Sequence, residues 1–297
     1  MKIVVIGGHG FIGSAFVKHL LALKHQVTIV SRTEKQAPLG ASSLAGGIDT
    51  LAARPDLLSA ADYVCHLASA TIPSSTQNGP LEDIELTVSP TLRLLEAMRE
   101  SGNRRLMYLS SGGAVYGVPK VVPIPETHPR EPISYYGLGK LMIENYLDYY
   151  RREHGFQTAI IRPANPYGPG QGKIGQLGAV TTFLQMIENG DTATLFGDGS
   201  IIRDFVYIDD LCDLMLRAIN QNANGTWNCG GGTGTSLKDL IGLIERATGK
   251  TLRIDPKPPR PFDPPKIVLD INRAERELDW RPKIDLLAGI SEILNQS

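Results

Sequence analysis

The sequence predicts an α/β fold: a doubly wound parallel sheet with a smaller, interwoven C-terminal domain. Three observations carry this prediction. Short apolar runs alternate with amphipathic stretches through the first 165 residues, a glycine cluster joins the first run to the first amphipathic stretch, and Pro and Gly become frequent after Asn165. Strands that alternate with helices are joined by crossover connections, which produce parallel sheets covered by helices.

The elements of the first part follow from two periodicities. Residues 3–6 are β-branched and bounded by glycine, which is typical of a buried strand, and apolar residues recur at helical spacing over residues 11–23. The same reasoning predicts strands at residues 26–30, 61–67, 105–110 and 157–161, and helices at residues 81–99 and 134–154. Residues 33–54 are polar and rich in Gly, Ser and Ala, so we expect a loop with at most a short strand near residues 47–48.

The second part of the chain predicts shorter elements. Helices are expected near residues 178–188, 209–220, 236–248 (with Ser236 as N-cap), 273–278 and 286–294, with a short strand near 226–228 and a proline-rich stretch at 256–265. We therefore predict one domain from residues 1–165 together with about 204–230, and a second from residues 166–203 and 231–297.

Composition excludes several classes of protein. The chain has 297 residues, of which 42% are hydrophobic and 21% charged, and a net charge of −1 without a long basic block, so neither nucleic acid nor an anionic membrane is an expected partner. The three cysteines are scattered without metal-ligand spacing, and their odd number argues against a disulfide framework. No apolar stretch approaches 18 residues and the first strand begins at once, so we expect no membrane span, no signal peptide and a cytoplasmic location.

The glycine cluster predicts a phosphate site. Gly7 suits a tight turn after the first strand, Gly10 lets the backbone approach a ligand, and Gly13 lets the helix lie close to the strand. Phe11 and Ile12 open a helix whose free N–H groups suit a pyrophosphate. A tight turn without any ligand would use the same glycines, so the motif alone leaves that alternative open.

Tyr136 and Lys140 form the candidate reactive pair, because residues four apart share one face of a helix. A nearby ammonium, together with a positively charged cofactor ring, lowers the pKa of a phenol and lets it act as a base. The alternative is an ordinary surface pair. Ser110-Ser111 and residues 162–165 follow other predicted strands, so they fall at the same carboxyl edge of the sheet as the glycines.

Further motifs, in order along nearly the whole chain, carry a family resemblance. They are the G-x-x-G-x-x-G spacing of Gly7, Gly10 and Gly13; His66-Leu67-Ala68; residues 94–97; Ser110-Ser111 through Tyr116-Gly117; Tyr136 to Lys140; Arg162 to Gly168; residues 197–199 and 203–210; and Arg260-x-x-Asp263. With these motifs the chain resembles an extended short-chain dehydrogenase/reductase of the nucleotide-sugar epimerase/dehydratase type, similar to UDP-glucose 4-epimerases. The resemblance implies a Rossmann cofactor domain and a C-terminal domain that binds a nucleotide sugar.

The resemblance also implies residue roles. Tyr136 matches the catalytic base, and Lys140 matches the partner that holds the nicotinamide ribose. Cofactor contacts are implied at Leu67, Ala68, Ser110 and Pro163, besides the glycine turn. Asn165 matches a diphosphate contact, Arg203 and Arg260 match the arginines that grip the diphosphate, and Asp263 matches an acid near the uridine ribose. Guanidinium forks suit a diphosphate well; the alternative is that both arginines form ion pairs with Asp204 and Asp263.

Departures from the family pattern narrow the reaction. The family places a catalytic Ser or Thr four residues before Tyr116, where this chain has Gly112, so Ser111 becomes the candidate for that hydroxyl. The dehydratases and decarboxylases of the family need carboxylates where this chain has Gly113 and Ala114, which disfavours both reactions. What remains is 4-epimerisation, an NADPH-dependent 4-ketoreduction, or a non-catalytic regulator that binds the cofactor.

Two finer predictions concern cofactor and substrate. The second strand ends in Ser31-Arg32 instead of an acid, and an arginine suits a 2′-phosphate, so we predict a tightly bound cofactor with NADP favoured over NAD. Arg32 stacked on the adenine of NAD is the alternative. Ile267 stands where glucose-restricted relatives have a bulky tyrosine, which predicts room for N-acetylhexosamines unless Ile267 is a packing residue. The family also implies a homodimer through the helices at residues 81–99 and 134–154.

Overall fold

The computed structural model describes residues 1–32, 36–70, 79–172, 178–260 and 263–296. Its main sheet has seven parallel strands in the order β10-β6-β5-β4-β1-β2-β3. These strands are β1 (Lys2–Ile6), β2 (Gln26–Ser31), β3 (Ala41–Ala45), β4 (Tyr63–His66), β5 (Arg105–Leu109), β6 (Gln157–Pro163) and β10 (Gly225–Cys229). The chain winds outward from β1 in one direction and then from β4 in the other, which leaves a crevice at the carboxyl ends of β1 and β4.

Helices cover both faces of this sheet. They are α1 (Phe11–Ala22), α2 (Ile48–Ala52), α3 (Pro55–Ala60), α4 (Pro80–Asp83), α5 (Ser89–Glu100), α6 (Tyr135–His154) and α8 (Ile208–Asn220). Alternate residues of β1 enter opposite cores, because Val5 packs in the core that contains α1 and α8 residues, whereas Val4 packs in the core that contains α5 and α6 residues. The predicted doubly wound fold is confirmed.

The remaining elements form a smaller layer at the carboxyl edge. They are β7 (Asn165–Tyr167), β8 (Thr192–Phe196), β9 (Ile202–Tyr207), β11 (Gly234–Ser236), β12 (Arg253–Lys257), β13 (Lys266–Ile267), α7 (Ala179–Asn189), α9 (Leu237–Thr248), α10 (Asn272–Leu278) and α11 (Leu286–Gln296). Strand β9 pairs with β7, β11 and β13, and β8 pairs with β12. The division into two domains stays a prediction. Strand β9 crosses the predicted boundary between residues 203 and 204, and it pairs within this smaller layer.

Two predictions of local structure were wrong. Residues 41–45 form β3 and Ile48 opens α2, where a loop with a short strand at 47–48 was expected. Strand β3 lies at the edge of the sheet with two exposed serines, so it lacks the apolar alternation that marks a strand in sequence. The predicted helix at 81–99 is divided into α4, a π-helical segment (Ile84–Val88) and α5. Pro90 explains the division, because proline has no N–H and its ring crowds the carbonyl one turn earlier.

One further local prediction, the cap of α9, is confirmed. Ser236 caps α9 by accepting a hydrogen bond from the Asp239 amide at 3.0 Å. The cysteines Cys65, Cys212 and Cys229 are all buried and unbridged. Across the described ranges, none of the helices combines the length and apolarity needed to cross a bilayer.

Candidate active site

A cavity of about 750 Å³ lies at the carboxyl edge of the main sheet. Every residue that the sequence assigned to the cofactor or to catalysis lines it, together with one residue assigned to the substrate. These residues are Gly7, Gly10, Phe11, Ile12, Gly13, Ser31, Arg32, Leu67, Ala68, Ser110, Ser111, Tyr136, Lys140, Pro163 and Asn165. The structure therefore brings the glycine turn and the tyrosine–lysine pair into one continuous space.

The glycine turn is tightly built and needs two of its glycines for steric reasons. Gly7 has φ +84°, and a Cβ there would lie 2.9 Å from the Ala68 Cα. A Cβ on Gly13 would lie 2.1 Å from the Gly7 carbonyl oxygen, because α1 packs directly on the turn. Helix α1 begins at Phe11, so its first amides have no partner inside the helix and face the cavity end of the turn. These features fit the pyrophosphate of a dinucleotide.

We expect Gly13→Ala to prevent cofactor retention, since its methyl group cannot fit unless α1 moves away from the turn. Gly242→Ala is the matched control, because that glycine lies in α9 with open space around its missing Cβ. The measurement is the cofactor content of the purified proteins, with Tm as a check on folding. A Gly13→Ala protein that retains as much cofactor as Gly242→Ala would contradict this account of the turn.

Tyr136, Lys140 and Ser111 meet at the inner wall of the cavity. The Lys140 Nζ lies 5.6 Å from the centre of the Tyr136 ring, and it donates a hydrogen bond to the Leu109 carbonyl oxygen at 2.9 Å. Burial raises the pKa of Tyr136 to about 12, and the hydrogen bond with Ser111 opposes that rise. Ser111, the candidate for the hydroxyl that Gly112 lacks, thus lines the cavity beside the phenol.

Lys140 is 4% exposed and has charged neighbours. Burial lowers the pKa of Lys140 to about 8, whereas the carboxylates of Asp83 and Glu144 oppose that fall. The lysine therefore remains largely protonated at neutral pH even though its side chain is buried. A positively charged neighbour of this kind favours the phenolate of Tyr136, which a buried tyrosine would otherwise form only at high pH.

Sequence reasoning missed Asp83 and Glu144, both of which are buried. Asp83 ends α4 and packs against Gly139 of α6, where a Cβ would lie 1.6 Å from its Oδ2. Glu144 follows Lys140 by four residues on α6, so its helical spacing from Tyr136 and Lys140 was a usable signal. Asp83 gives no such signal, because its approach to α6 depends on how α4 is placed.

The other residues assigned to the substrate lie outside this cavity. Arg203 donates to the carbonyl oxygens of Ile202 and Pro264 at 2.9 and 2.8 Å, and its Nη2 lies 3.9 Å from Asp263 Oδ1. The guanidinium of Arg260 stacks 3.8 Å from the centre of the Phe196 ring. Ile267 is 2% exposed and packs in a small core with Tyr116 and Leu269, as the packing alternative expects.

Asp204, the neighbour of Arg203 on β9, does not form the ion pair that one alternative expected. Its carboxylate is buried on the opposite side of the strand, where it accepts hydrogen bonds from the Gly231 amide at 2.7 Å and the Leu269 amide at 3.1 Å. Burial raises the pKa of Asp204 to about 7. This carboxyl group therefore joins the loops that follow β10 and β13.

A Rossmann sheet with a glycine turn at its first helix and a Tyr-x-x-x-Lys pair in the same cavity defines an extended short-chain dehydrogenase/reductase. Comparison with known proteins narrows the class further. Residues 3–230 match the NAD dependent epimerase/dehydratase family, and the chain belongs to this family.

Individual relatives agree with this assignment over nearly their whole length. A UDP-glucose 4-epimerase of Mycolicibacterium smegmatis is 34% identical over 98% of this chain and 97% of its own. The crystal structure of a UDP-glucose 4-epimerase from Thermotoga maritima with UDP-glucose has a TM-score of 0.94 and 34% identity, covering 99% of this chain and 98% of the other. A Thermus thermophilus UDP-glucose 4-epimerase in complex with NAD has a TM-score of 0.91 and 30% identity, with coverage of 99% and 98%.

Proposed function

We propose that this protein is a nucleotide-sugar 4-epimerase that acts on a UDP-hexose or UDP-N-acetylhexosamine. The observation that carries the proposal is the convergence of Ser111, Tyr136 and Lys140 on the cavity that holds the glycine turn. Gly113 and Ala114 provide no carboxylate for elimination or decarboxylation. The relatives named UDP-glucose 4-epimerase support the same reaction.

Tyr136 is the acid and base of the proposed reaction. Its phenolate removes the proton from the sugar C4 hydroxyl, and the resulting phenol returns the proton to the C4 oxygen once hydride has been added to the opposite face of C4. Ser111 donates a hydrogen bond to the Tyr136 oxygen and so stabilises the phenolate, and Lys140 keeps a positive charge beside it. A nicotinamide held in the cavity would supply the redox chemistry, since it can take hydride from C4 and give it back to the opposite face of C4, which would leave the cofactor unchanged after each turnover.

The residues that hold the nucleotide sugar are proposed from their positions in the fold. Asn165 lines the cavity, Arg203 lies on β9, and Arg260 lies in the loop after β12. Two guanidinium groups can hold a diphosphate while the sugar rotates to present its other face. We propose Asp263 for the uridine ribose, and we retain Ile267 as a determinant of sugar size acting through the Tyr116 and Leu269 packing that it contacts.

We infer that the cofactor is NAD. The described residues fit a dinucleotide, because the tight turn that Gly7 and Gly13 permit leads directly into the free amides at the start of α1. The preference for NADP that Ser31-Arg32 predicted has no support from the comparisons, in which the Thermus thermophilus relative contains NAD. Arg32 is exposed, and in this proposal it stacks on the adenine of NAD, which is the alternative role given to it above. Extraction and chromatography of the copurified dinucleotide tests the choice, and NADP as the main species would reverse it.

We propose a homodimer formed through α6. This helix carries four large exposed side chains, those of Tyr135, Leu138, Tyr146 and Tyr149. Residues that are three or eleven positions apart lie on nearly the same side of a helix, so these four share one surface. We expect Tyr146→Arg combined with Tyr149→Arg to convert the dimer into monomers, as measured by light scattering after gel filtration. Leu39→Arg, at an exposed loop residue, is the control. A double variant with the mass of the control would contradict this interface.

The reaction itself is tested with purified protein and no added cofactor. UDP-glucose and UDP-N-acetylglucosamine are each supplied, and the 4-epimers are measured by NMR. Turnover supported by the copurified dinucleotide is the expected result. A reaction that consumes NADPH stoichiometrically with a 4-keto sugar would instead identify a ketoreductase, and bound cofactor without any turnover would favour a regulator.

A further inference from the structure

Glu144 is a completely buried carboxylate beside the proposed catalytic pair. It is 0% exposed, and it lies on the same face of α6 as Tyr136 and Lys140. Taking a carboxylate out of water costs several kcal/mol unless donors replace the lost hydration. Here Arg162 replaces much of it, since its Nε and Nη2 lie 3.0 and 2.6 Å from the two carboxylate oxygens. Arg130 Nη1 adds a further contact at 3.0 Å.

The same carboxylate also reaches the strand that carries the catalytic hydroxyl. Ser110 Oγ donates to Glu144 Oε1 at 2.5 Å, directly after the end of β5. One residue earlier, the Leu109 carbonyl oxygen accepts from Lys140 Nζ. Lys140 and Glu144, on consecutive turns of α6, thus bond to Leu109 and Ser110, two consecutive residues at the end of β5. The next residue, Ser111, lines the same cavity as Tyr136, and its hydroxyl lowers the pKa of that phenol.

Arg162 is itself held in place on the far side of the network. Its Nη1 donates to Tyr116 Oη at 2.7 Å, and Tyr116 Oη donates to Asn228 Oδ1 at 2.7 Å. Although burial raises the pKa of Glu144, its hydrogen bonds with Arg162, Ser110 and Arg130 hold it below the ordinary value. Glu144 is therefore a fixed anion. Its partners are Arg162 on β6, Ser110 directly after β5, and Arg130 in the loop before α6.

We propose that Glu144 is a positioning residue for the 4-epimerase reaction: through its hydrogen bond with Ser110 it fixes Ser111 against Tyr136. This inference rests on the proposed function for its kinetic consequence. Lys140 alone would be a weaker anchor, because the family resemblance also assigns its ammonium to the cofactor ribose. The hydrogen of the Ser110 hydroxyl is committed to Glu144, so Ser110 can meet a cofactor only as an acceptor.

Ser110→Ala tests the proposal without disrupting the buried ion pair. It removes the link between Glu144 and the end of β5 and leaves the Glu144 contacts with Arg162 in place. We expect kcat to fall about tenfold, because the Ser111 hydroxyl would be misplaced. KM for the nucleotide sugar should stay within about twofold of the unaltered protein, because the residues proposed to hold the diphosphate are unchanged. Ser110→Thr, which retains the hydroxyl, should recover most of the lost kcat.

Asp148→Asn is the matched control, because Asp148 lies one turn beyond Glu144 on α6 and pairs with Arg151 at 2.7 Å away from the cavity. It should leave kcat unchanged. An unchanged kcat in Ser110→Ala, or a fall fully explained by lost cofactor or by a raised KM, would overturn the proposal.

A second measurement is independent of activity. In protein labelled with [ζ-¹³C]tyrosine, the Tyr136 signal is identified by its loss in Tyr136→Phe. We expect Ser110→Ala and Glu144→Gln to shift this signal in the same direction, because both loosen the Ser111 hydrogen bond, while Asp148→Asn leaves it in place. A signal that does not move in Ser110→Ala would refute the positioning role even if kcat had fallen. If the unaltered protein epimerises no nucleotide sugar, the proposed function fails and this measurement still decides the placement of Ser111.

Discussion

Tyr136→Phe is expected to lower kcat by about 10³-fold or more while nucleotide-sugar and cofactor binding remain. The substitution removes only the phenolic oxygen, and general acid–base catalysis of this kind contributes about 10²–10⁴ in rate. The rest of the site is unaffected, since Lys140 Nζ keeps its hydrogen bond with Leu109. The measurement is the initial rate of epimerisation, together with the Kd for UDP and the cofactor content of each protein.

Tyr135→Phe provides the control for this experiment. Tyr135 precedes Tyr136 on α6 and is 43% exposed, so the loss of its hydroxyl should change kcat by less than about twofold. A Tyr136→Phe protein that retains the rate of the Tyr135→Phe protein would remove Tyr136 from the mechanism. If the Tyr136→Phe protein instead loses its cofactor, the Tyr136 hydroxyl contributes to cofactor binding.

The half of the site that could be predicted from sequence is the half built by the main sheet. The glycine turn, Ser110-Ser111 and the segment around Pro163 each follow a recognisable buried strand, and parallel strands place their carboxyl ends at one edge. No knowledge of side-chain packing is needed for that step. The continuous apolar pattern of these strands and the periodicity of α1 and α6 are sufficient.

The other half depends on contacts that leave no periodic signal. Strand β13 has two residues, and β7 and β11 have three each, so none of them shows an alternation that a sequence can reveal. Gly112 shows the same limit in a different way. A Cβ on Gly112 would lie 2.6 Å from Leu269 Cδ1. The space for a serine or threonine at position 112 is therefore limited by a side chain more than 150 positions later in the chain.

Asp204→Ala is expected to destabilise the fold strongly, because it removes the acceptor of two amides, the buried one of Leu269 and the half-buried one of Gly231. The Gly231 and Leu269 N–H groups would be left without their partner, and each unsatisfied buried donor costs about 1–3 kcal/mol. At pH 5 we therefore expect the free energy of unfolding to fall by about 3 kcal/mol. Asp198→Ala, at an exposed carboxylate, should change it by less than about 0.5 kcal/mol.

The loss should become smaller as pH rises, and the direction follows from linkage. The pKa of Asp204 is raised to about 7 from an ordinary 3.8, so between these values the folded protein binds more protons at this carboxyl than the unfolded chain does. The stability that this group contributes is therefore fully present below pH 3.8, declines as pH rises from there, and is lost by about pH 7, where the buried carboxyl ionises. Replacement by alanine removes that penalty along with the hydrogen bonds, so urea unfolding at pH 8 should show a smaller deficit than at pH 5. A deficit that grows with pH would mean that Asp204 stabilises the fold chiefly as an anion.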